Sequence, residues 1–383
     1  MKKSFLFVMP GAVPIANFRV SQLLAETFPD LECEVLDYSK VLRSRPMTLV
    51  NICVRTVFEA GPGVLKSRET LRNSILRSVA TEAWIKKWVA NRVSAGNAAF
   101  TFQMQSLFDA GVPGCPHFVF TDHTRLENLN YPESEEVPRP PQKLIDRETE
   151  IYADARVVFV RSENIRRSLT EQYHIDPQKV EVVYAGSNLP GARSNQGPAF
   201  DRDPFTILFV GLDWDRKGGP ELLMAFRRLQ ETHPQARLVI AGASPEIPAD
   251  LPGVEVIGEV FINRLEQLYQ RAGIFCLPTR REPFGIVFLE AMEHGLPVVG
   301  TDIGAQVDFI RNGETGFRVP VRDPEALAAA LRRLCDDPEA AREMGRRGER
   351  LIRERYNWKS VVTRMTATIR SVLKDQAEGA AGE

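Results

Sequence analysis

Thr206-Ile207-Leu208-Phe209-Val210-Gly211-Leu212-Asp213-Trp214-Asp215-Arg216-Lys217-Gly218-Gly219-Pro220 is the run on which the reading of this chain turns. A short apolar strand leads into a polar turn with two adjacent cations and two glycines. A proline suited to the first turn of a helix follows. Strand, turn and helix in that order make up the repeating unit of a parallel sheet covered by helices. In open sheets of that kind, ligands sit at the carboxyl ends of the strands.

The unit recurs along the chain. Strands are expected at Phe5–Met9, Cys33–Leu36, Ala98–Phe102, Phe118–Thr121, Val157–Val160 and Val180–Tyr184. A second set is expected at Thr206–Val210, Arg237–Ala241, Val254–Ile257, Ile274–Leu277 and Pro297–Gly300. Between the sets, Pro190–Pro204 is rich in Gly, Pro, Asn and Ser and reads as a linker. The expected class is α/β, with two doubly wound domains facing across a cleft, at residues 1–190 and 204–357. An amphipathic helix at Trp358–Lys374 closes the chain, and the Gly/Ala/Glu tail beyond it reads as disordered.

Composition agrees with two soluble domains: 383 residues, 43% apolar, 26% charged. A net charge of −1 argues against wholesale nucleic-acid binding. Cys33, Cys53, Cys115, Cys276 and Cys335 form no zinc or redox spacing and read as reduced thiols of a cytoplasmic protein. Met1-Lys2-Lys3 before Phe5–Met9 has the look of a signal peptide. Its apolar stretch is short and is cut by Pro10-Gly11, so a first buried strand fits better. No segment reaches the ~18 apolar residues of a membrane span.

Two motifs carry chemistry. Arg216 and Lys217 are fixed cations where a departing diphosphate would gain charge, and Gly218-Gly219 would let backbone approach a phosphate. Taken alone, they are equally an ordinary solvated Asp-Arg-Lys turn. Asp213-Trp214-Asp215 spells an acidic pair of the metal-holding sort, but beside two cations it reads as a helix cap or a partner for Arg216, and no metal is expected. Downstream, Glu282-Pro283-Phe284-Gly285-Ile286-Val287-Phe288-Leu289-Glu290 places two carboxylates either side of a glycine turn and a helix start. Alone, Glu282 would read as a salt bridge to Arg280 or Arg281, and Glu290 as an acid near a helix start. Cations for a diphosphate and carboxylates for sugar hydroxyls together point to an enzyme that takes a sugar off a nucleotide.

These residues resemble the family 4 glycosyltransferases, retaining enzymes of the GT-B fold. The resemblance covers the C-terminal half, including Phe209-Val210-Gly211, Lys217-Gly218, Glu290-Ala291-Met292, Gly295–Val299 and Asn312–Phe317. It implies that Arg216 and Lys217 hold the donor diphosphate and that Glu290 binds the ribose hydroxyls. Glu282 would contact the donor sugar, and the backbone of Phe284, Gly285, Ile286 and Val287 would position sugar and phosphate. It also implies that the helix 358–374 crosses back onto the first domain. In the N-terminal half, Pro10–Pro14 stands where such enzymes place a glycine-rich turn, with Gly11 as a donor contact. Thr121-Asp122-His123-Thr124 looks like the family's active-site histidine position. A neutral His123 imidazole there would bond a sugar hydroxyl or the reacting region, and the alternative is a helix-capping Asp-His turn.

The resemblance implies a hexosyltransferase moving a sugar from a nucleotide-sugar donor to an acceptor hydroxyl, with no cofactor. A glycolipid or cell-envelope glycan is one acceptor class. Its rivals are a sugar-nucleotide epimerase or phosphorolytic enzyme of the same plan, and a non-catalytic nucleotide-sugar-binding subunit. Lys40–Arg92 is long, helical and basic. Its Trp84 and Trp88, beside Lys86, Lys87 and Arg92, would either meet an anionic lipid surface on the inner face of the membrane or pack into the N-terminal core. Tyr131–Pro141 reads as an acidic, proline-rich surface loop.

Overall fold

The computed structural model describes residues 2–11, 15–76, 78–132, 139–189 and 202–381. Its first sheet is built from β1 (Ser4–Met9), β2 (Glu32–Asp37), β3 (Ala98–Met104), β4 (His117–Thr121), β5 (Val157–Val160) and β6 (Val180–Val182). The second is built from β7 (Thr206–Gly211), β8 (Arg237–Gly242), β9 (Val254–Gly258), β10 (Ile274–Cys276), β11 (Val298–Thr301) and β12 (Gly316–Val319). Eleven of these answer the expected strands to within two residues at each end. The twelfth, β12, was missed because half-exposed Phe317 and Arg318 interrupt its apolar run.

All pairings within the two sheets are parallel. The first has the order β2-β1-β3-β4-β5-β6 and the second β12-β11-β10-β7-β8-β9. Each reverses direction once, between β1 and β3 in one sheet and between β7 and β10 in the other. Loops leaving the two strands at such a reversal diverge to opposite faces and open a crevice, so those four strand ends are where a ligand fits.

The cores follow from the strands. Phe5, Phe7, Phe100, Phe102, Phe118, Phe120 and Phe159 are fully buried, with rings of adjacent strands stacked, such as Phe5 on Phe100 at 4.8 Å. Ile207, Leu208, Phe209, Leu238, Ile240, Phe275 and Val299 fill the second sheet's core. Burying side chains of this size contributes about 1.5–3 kcal/mol each.

The closing helix runs Trp358–Ala381, beyond the expected Lys374. The tail up to 381 is helical, correcting the expected disorder. Gln376, Ala377 and Glu378 are good helix formers, and Lys374 pairs with Glu378 one turn on at 3.7 Å. The helix lies against the first sheet's layer: Thr366 bonds Thr27 at 3.0 Å, Arg370 donates to the Thr27 carbonyl, and Thr368 donates to Glu181. Across the seam between the sheets, the Glu163 N–H donates to Asp308 at 3.0 Å, and the Asp308 carbonyl is held within its own domain by the Tyr356 hydroxyl at 2.9 Å.

Between β2 and β3 the basic stretch folds into four helices, Tyr38–Arg43, Pro46–Ala60, Arg68–Leu76 and Val79–Ala95. Trp84 and Trp88 do not form an outer face. Trp88 is 8% exposed, Trp84 is half-buried, and their rings stack at 5.3 Å among Ile85, Val89, Ile52 and Ile75. Of the two alternatives for these tryptophans, core packing is the one the structure shows. Tyr131, expected on a surface loop, is likewise buried at 3% exposure. Residues 133–138, the expected linker up to Asp201 and Ala12–Pro14 of the first turn lie outside the described residues.

Candidate active site

The second sheet's reversal point gathers the two sequence motifs. β7 ends at Gly211, and the turn Leu212–Lys217 carries the chain into the helix Gly219–Gln230. Gly218 has φ +75, and a Cβ there would lie 1.9 Å from the Pro278 carbonyl oxygen. A Cβ on Gly219 would lie 2.1 Å from the Trp214 ring. The glycine pair thus serves protein contacts, bringing the turn after β7 against the segment after β10.

That approach is stitched by backbone bonds. The Arg216 carbonyl accepts from the Arg280 N–H at 2.9 Å and the Thr279 hydroxyl at 3.2 Å. The Arg216 guanidinium donates to the Arg281 carbonyl at 2.8 Å and to Asp213 at 2.9 Å. Burial nudges the Asp213 carboxyl up, but the Arg216 bonds outweigh it and hold it below its ordinary value. Asp213 is thereby engaged with Arg216. Among the described residues no group of three or more His, Cys, Asp or Glu is arranged to hold a metal.

Lys217 reaches further and forms an ion pair with Glu282, both side chains largely shielded from solvent. Glu282 therefore pairs with neither arginine expected from sequence; Arg280 is held by buried Glu221 at 2.7 Å. Beyond Glu282 the chain turns at Gly285, with φ +85, where a Cβ would lie 2.8 Å from the Phe288 ring. No side chain caps the helix Ile286–Glu293 that starts there. The amides of Ile286 and Val287 are therefore left to the loop side, where a ligand's oxygens would satisfy them. Phe284 is buried against Phe309 at 5.9 Å and fixes the turn.

Glu290 lies one helical turn deeper. It accepts from the Tyr269 hydroxyl at 3.1 Å and from the Asn188 backbone N–H. Burial pushes its carboxyl up to about 7. Lys217, Glu282 and Glu290 thus flank the same turn and helix start.

On the facing side, β4 delivers Asp122 and His123. The His123 Nδ1 bonds Asp122 at 2.9 Å, and the other Asp122 oxygen accepts from fully buried Arg161 at 3.0 Å. Burial opposes the Asp122 charge, yet Arg161 and His123 hold that carboxyl well below the usual carboxylate range. For His123, burial lowers the pKa, but the Asp122 bond and charge outweigh it and leave it raised. The imidazole expected to be neutral is thus biased toward imidazolium. Buried Glu148 steadies the loop by accepting from Ser106 at 2.7 Å and the Arg125 N–H at 3.0 Å.

Two residues here escaped sequence reading. Gln105, at the end of β3, sits at φ +68, a backbone state costing on the order of 1 kcal/mol or more. Its side chain bonds Thr121 at 3.3 Å and faces Asp122. The Tyr131 hydroxyl is buried without a hydrogen-bond partner among the described residues. Burial first, then the charges of Glu127, Glu282 and Asp122, raise its pKa, with Arg281 opposing. It lies between the His123 side and the Glu282 side, 3.3 Å from where a Cβ on Gly304 would stand. No periodicity marks either residue. Gly11, with φ +127 at the end of β1, sits nearest Ser39 at its Cβ position and is not joined by any described bond to the second sheet.

A paired α/β architecture with cations and carboxylates at the second reversal point defines a GT-B protein. Residues 192–351 match the family model described as glycosyl transferases group 1. The chain is 34% identical over 215 residues to a glycogen synthase of Mycobacterium tuberculosis, covering 53% of this chain and 51% of that protein. It is 29% identical over 288 residues to a D-inositol 3-phosphate glycosyltransferase of Segniliparus rotundus, covering 70% and 63%. Against the glycogen synthase, the match thus spans about half the relative's length. Among solved structures, the fold matches sucrose-phosphate synthase from Thermosynechococcus elongatus (TM-score 0.68, 18% identity, 97% of this chain and 100% of that one). It also matches Anabaena HepE in complex with UDP (TM-score 0.66, 15% identity, 97% and 100%). The C-terminal half of the chain is thus similar to the group 1 glycosyltransferases, and the chain as a whole has the GT-B fold.

Proposed function

We propose that this chain is a retaining hexosyltransferase that moves a sugar from a nucleotide-sugar donor to an acceptor hydroxyl. The observation that carries the reading is the Lys217–Glu282 ion pair at the second reversal point, with Arg216 and Glu290 beside it. Arg216 and Lys217 would offset the charge of the departing diphosphate without a metal or cofactor. Glu290 would accept from the ribose hydroxyls. Glu282, released from Lys217 by the incoming phosphates, would accept from the sugar. The Ile286 and Val287 amides would meet sugar or phosphate oxygens.

In the reaction, the bond from the anomeric carbon to the diphosphate oxygen breaks, and a bond to the acceptor oxygen forms on the same face. The acceptor proton passes to the departing phosphate oxygen. Asp122 is held by Arg161 and His123, and Glu282, once released, would be occupied by the sugar's hydroxyls, which favours this course over a covalent glycosyl-enzyme. His123 would donate from its imidazolium form to a sugar or phosphate oxygen. The acceptor would enter from the first sheet's side, and a lipid-linked or cell-envelope glycan, met at the inner face of a membrane, is the class in view.

A thermal-shift screen of nucleotides and nucleotide-sugars tests the donor half. A ligand at ~100-fold its Kd adds about 2.7 kcal/mol of apparent stability. Uridine nucleotides come first, since the HepE structures hold UDP and UDP-glucose. Release of nucleoside diphosphate from the matching sugar-nucleotide, lost in Glu282→Ala, would establish turnover. Stabilisation by no nucleotide, together with no release, would sink the reading.

A further inference from the structure

The helix Pro46–Ala60 has two apolar faces, and only one is used inside the molecule. Ile52 and buried Thr56 pack inward with Leu49 and Cys53, against Leu42, Ile75 and Ala80. Met47, Val50, Val54 and Phe58 point the other way, 83%, 58%, 50% and 85% exposed. Their spacing of three, four and four residues puts them in one stripe roughly 16 Å long at 1.5 Å per residue. Leu65, in the short helical turn Pro62–Lys66 that follows, is exposed beside them. A surface helix normally turns its polar face outward, so an apolar outer stripe marks a contact made with something else.

The charge around the stripe says what that something is. Lys40, Arg43, Arg45, Arg55, Lys66, Arg68 and Arg72 are all exposed, and Glu59 and Glu69 are the acids between 40 and 72. Among the described residues none of these seven cations is in an ion pair; Arg43 alone spends a bond, on the Ser39 carbonyl. A second copy presenting the same face would set seven cations against seven. A nucleic-acid backbone would use the cations and leave Met47 and Phe58 in water. An anionic bilayer uses both, its headgroups meeting the cations and its acyl boundary taking the stripe.

We propose that the outer face of the helix Pro46–Ala60, with its flanking cations, docks the protein on an anionic membrane surface. This deepens the acceptor half of the proposed function and rests on it for its purpose. The test reads binding and not transfer, so either can fail alone.

The full chain is sedimented with vesicles of phosphatidylglycerol and phosphatidylcholine, and with phosphatidylcholine alone. Binding to the anionic vesicles is expected, weakened severalfold by 0.5 M salt. Met47→Glu/Phe58→Glu should weaken it roughly tenfold to a hundredfold. Arg45→Glu/Arg55→Glu should weaken it comparably. All four side chains are exposed, so both variants should melt with the wild type. Failure of the wild type to bind anionic vesicles, or undiminished binding by the Met47/Phe58 variant, would overturn the proposal. So would a concentration-dependent dimer that this variant abolishes, which would make a second copy the occupant.

Discussion

The reversal point between β7 and β10 and the one between β1 and β3 occupy equivalent places in two similar sheets, and they are furnished in different ways. At the first, the chemistry arrives on two short segments, Asp213–Gly219 and Pro278–Gly285. Backbone contacts such as Arg280 N–H to the Arg216 carbonyl lock them together. At the second, β1 and β3 contribute Gly11 and Gln105, and the polar groups nearest the cleft come from the loops after β4 and around Tyr131. Those groups are held by side-chain pairs, Arg161 to Asp122 and Glu148 to Ser106. On the proposed function a diphosphate is common to the donors, and a constellation locked by backbone contacts would suit it. A proposed acceptor side held by side-chain pairs could then be reshaped without disturbing that grip.

The largest test of that contrast is Lys217. Its loss removes a fixed cation and leaves Glu282 unpaired, so Lys217→Ala should lower kcat/KM by roughly a thousandfold, about 4 kcal/mol. The swap Lys217→Glu/Glu282→Lys keeps the attraction and should restore most of the melting temperature but none of the activity. An active swap variant, assayed for nucleoside diphosphate release, would reduce the pair to scaffolding.

His123 comes next. His123→Ala should cost about a hundredfold in kcat, within the range of a positioned proton donor. The sign of the pH effect follows from the raised pKa. Below the ordinary 6.5, the charged ring's bond to Asp122 contributes its full stability, which is lost as pH rises through the higher folded value. Asp122→Asn removes the group that raises it, so the alkaline fall of kcat/KM should move to lower pH. A pH profile superimposable on the wild type would leave His123 without the assigned role.

The gathering of cations and carboxylates at the second sheet's reversal point was legible from the segments that carry them. Arg216, Lys217, Glu282 and Glu290 lie in segments whose strand and helix signals fix their placement. The exchange of partners at Glu282 was not legible, since Arg280 and Arg281 adjoin it in sequence whereas Lys217 stands 65 residues away. Trp84 and Trp88 show the same limit, because a tryptophan one turn from another marks a helix face without saying which way it looks. The basic character of Lys40–Arg92 was legible, but the exposed apolar stripe of the helix Pro46–Ala60 was not. Tyr131 and Gln105 act through burial and backbone geometry, which leave no periodic trace.

Glu290 offers a smaller and more diagnostic effect. Its carboxyl is pushed up to about 7 from an ordinary 4.5, so the neutral form is favoured in the free protein and stability falls as pH rises across that window. Ribose hydroxyls donate to the anion, so binding should expel a proton. Nucleotide affinity should rise severalfold from pH 6 to pH 8, with proton release seen by calorimetry in buffers of differing ionisation enthalpy. Glu290→Gln should bind about tenfold more weakly, as for a lost charge-assisted bond, with the pH dependence flattened. Unaltered affinity and slope would move the ribose site elsewhere.

Tyr131 sharpens the contrast most finely, because a structural role and a functional one predict opposite signs. Its hydroxyl is buried without a partner among the described residues, a state costing about 1–3 kcal/mol. Removing it in Tyr131→Phe should therefore raise stability, by about 1 kcal/mol once repacking is allowed for. If the hydroxyl is kept for an oxygen of the bound sugar or acceptor, between Asp122 and Glu282, the same change should lower kcat/KM a few fold, less than tenfold. Thermal melting and kinetics on one preparation decide it. Gain in stability with loss of activity would mark a group held unsatisfied for a ligand, and gain in stability with full activity would make the hydroxyl incidental to the cleft.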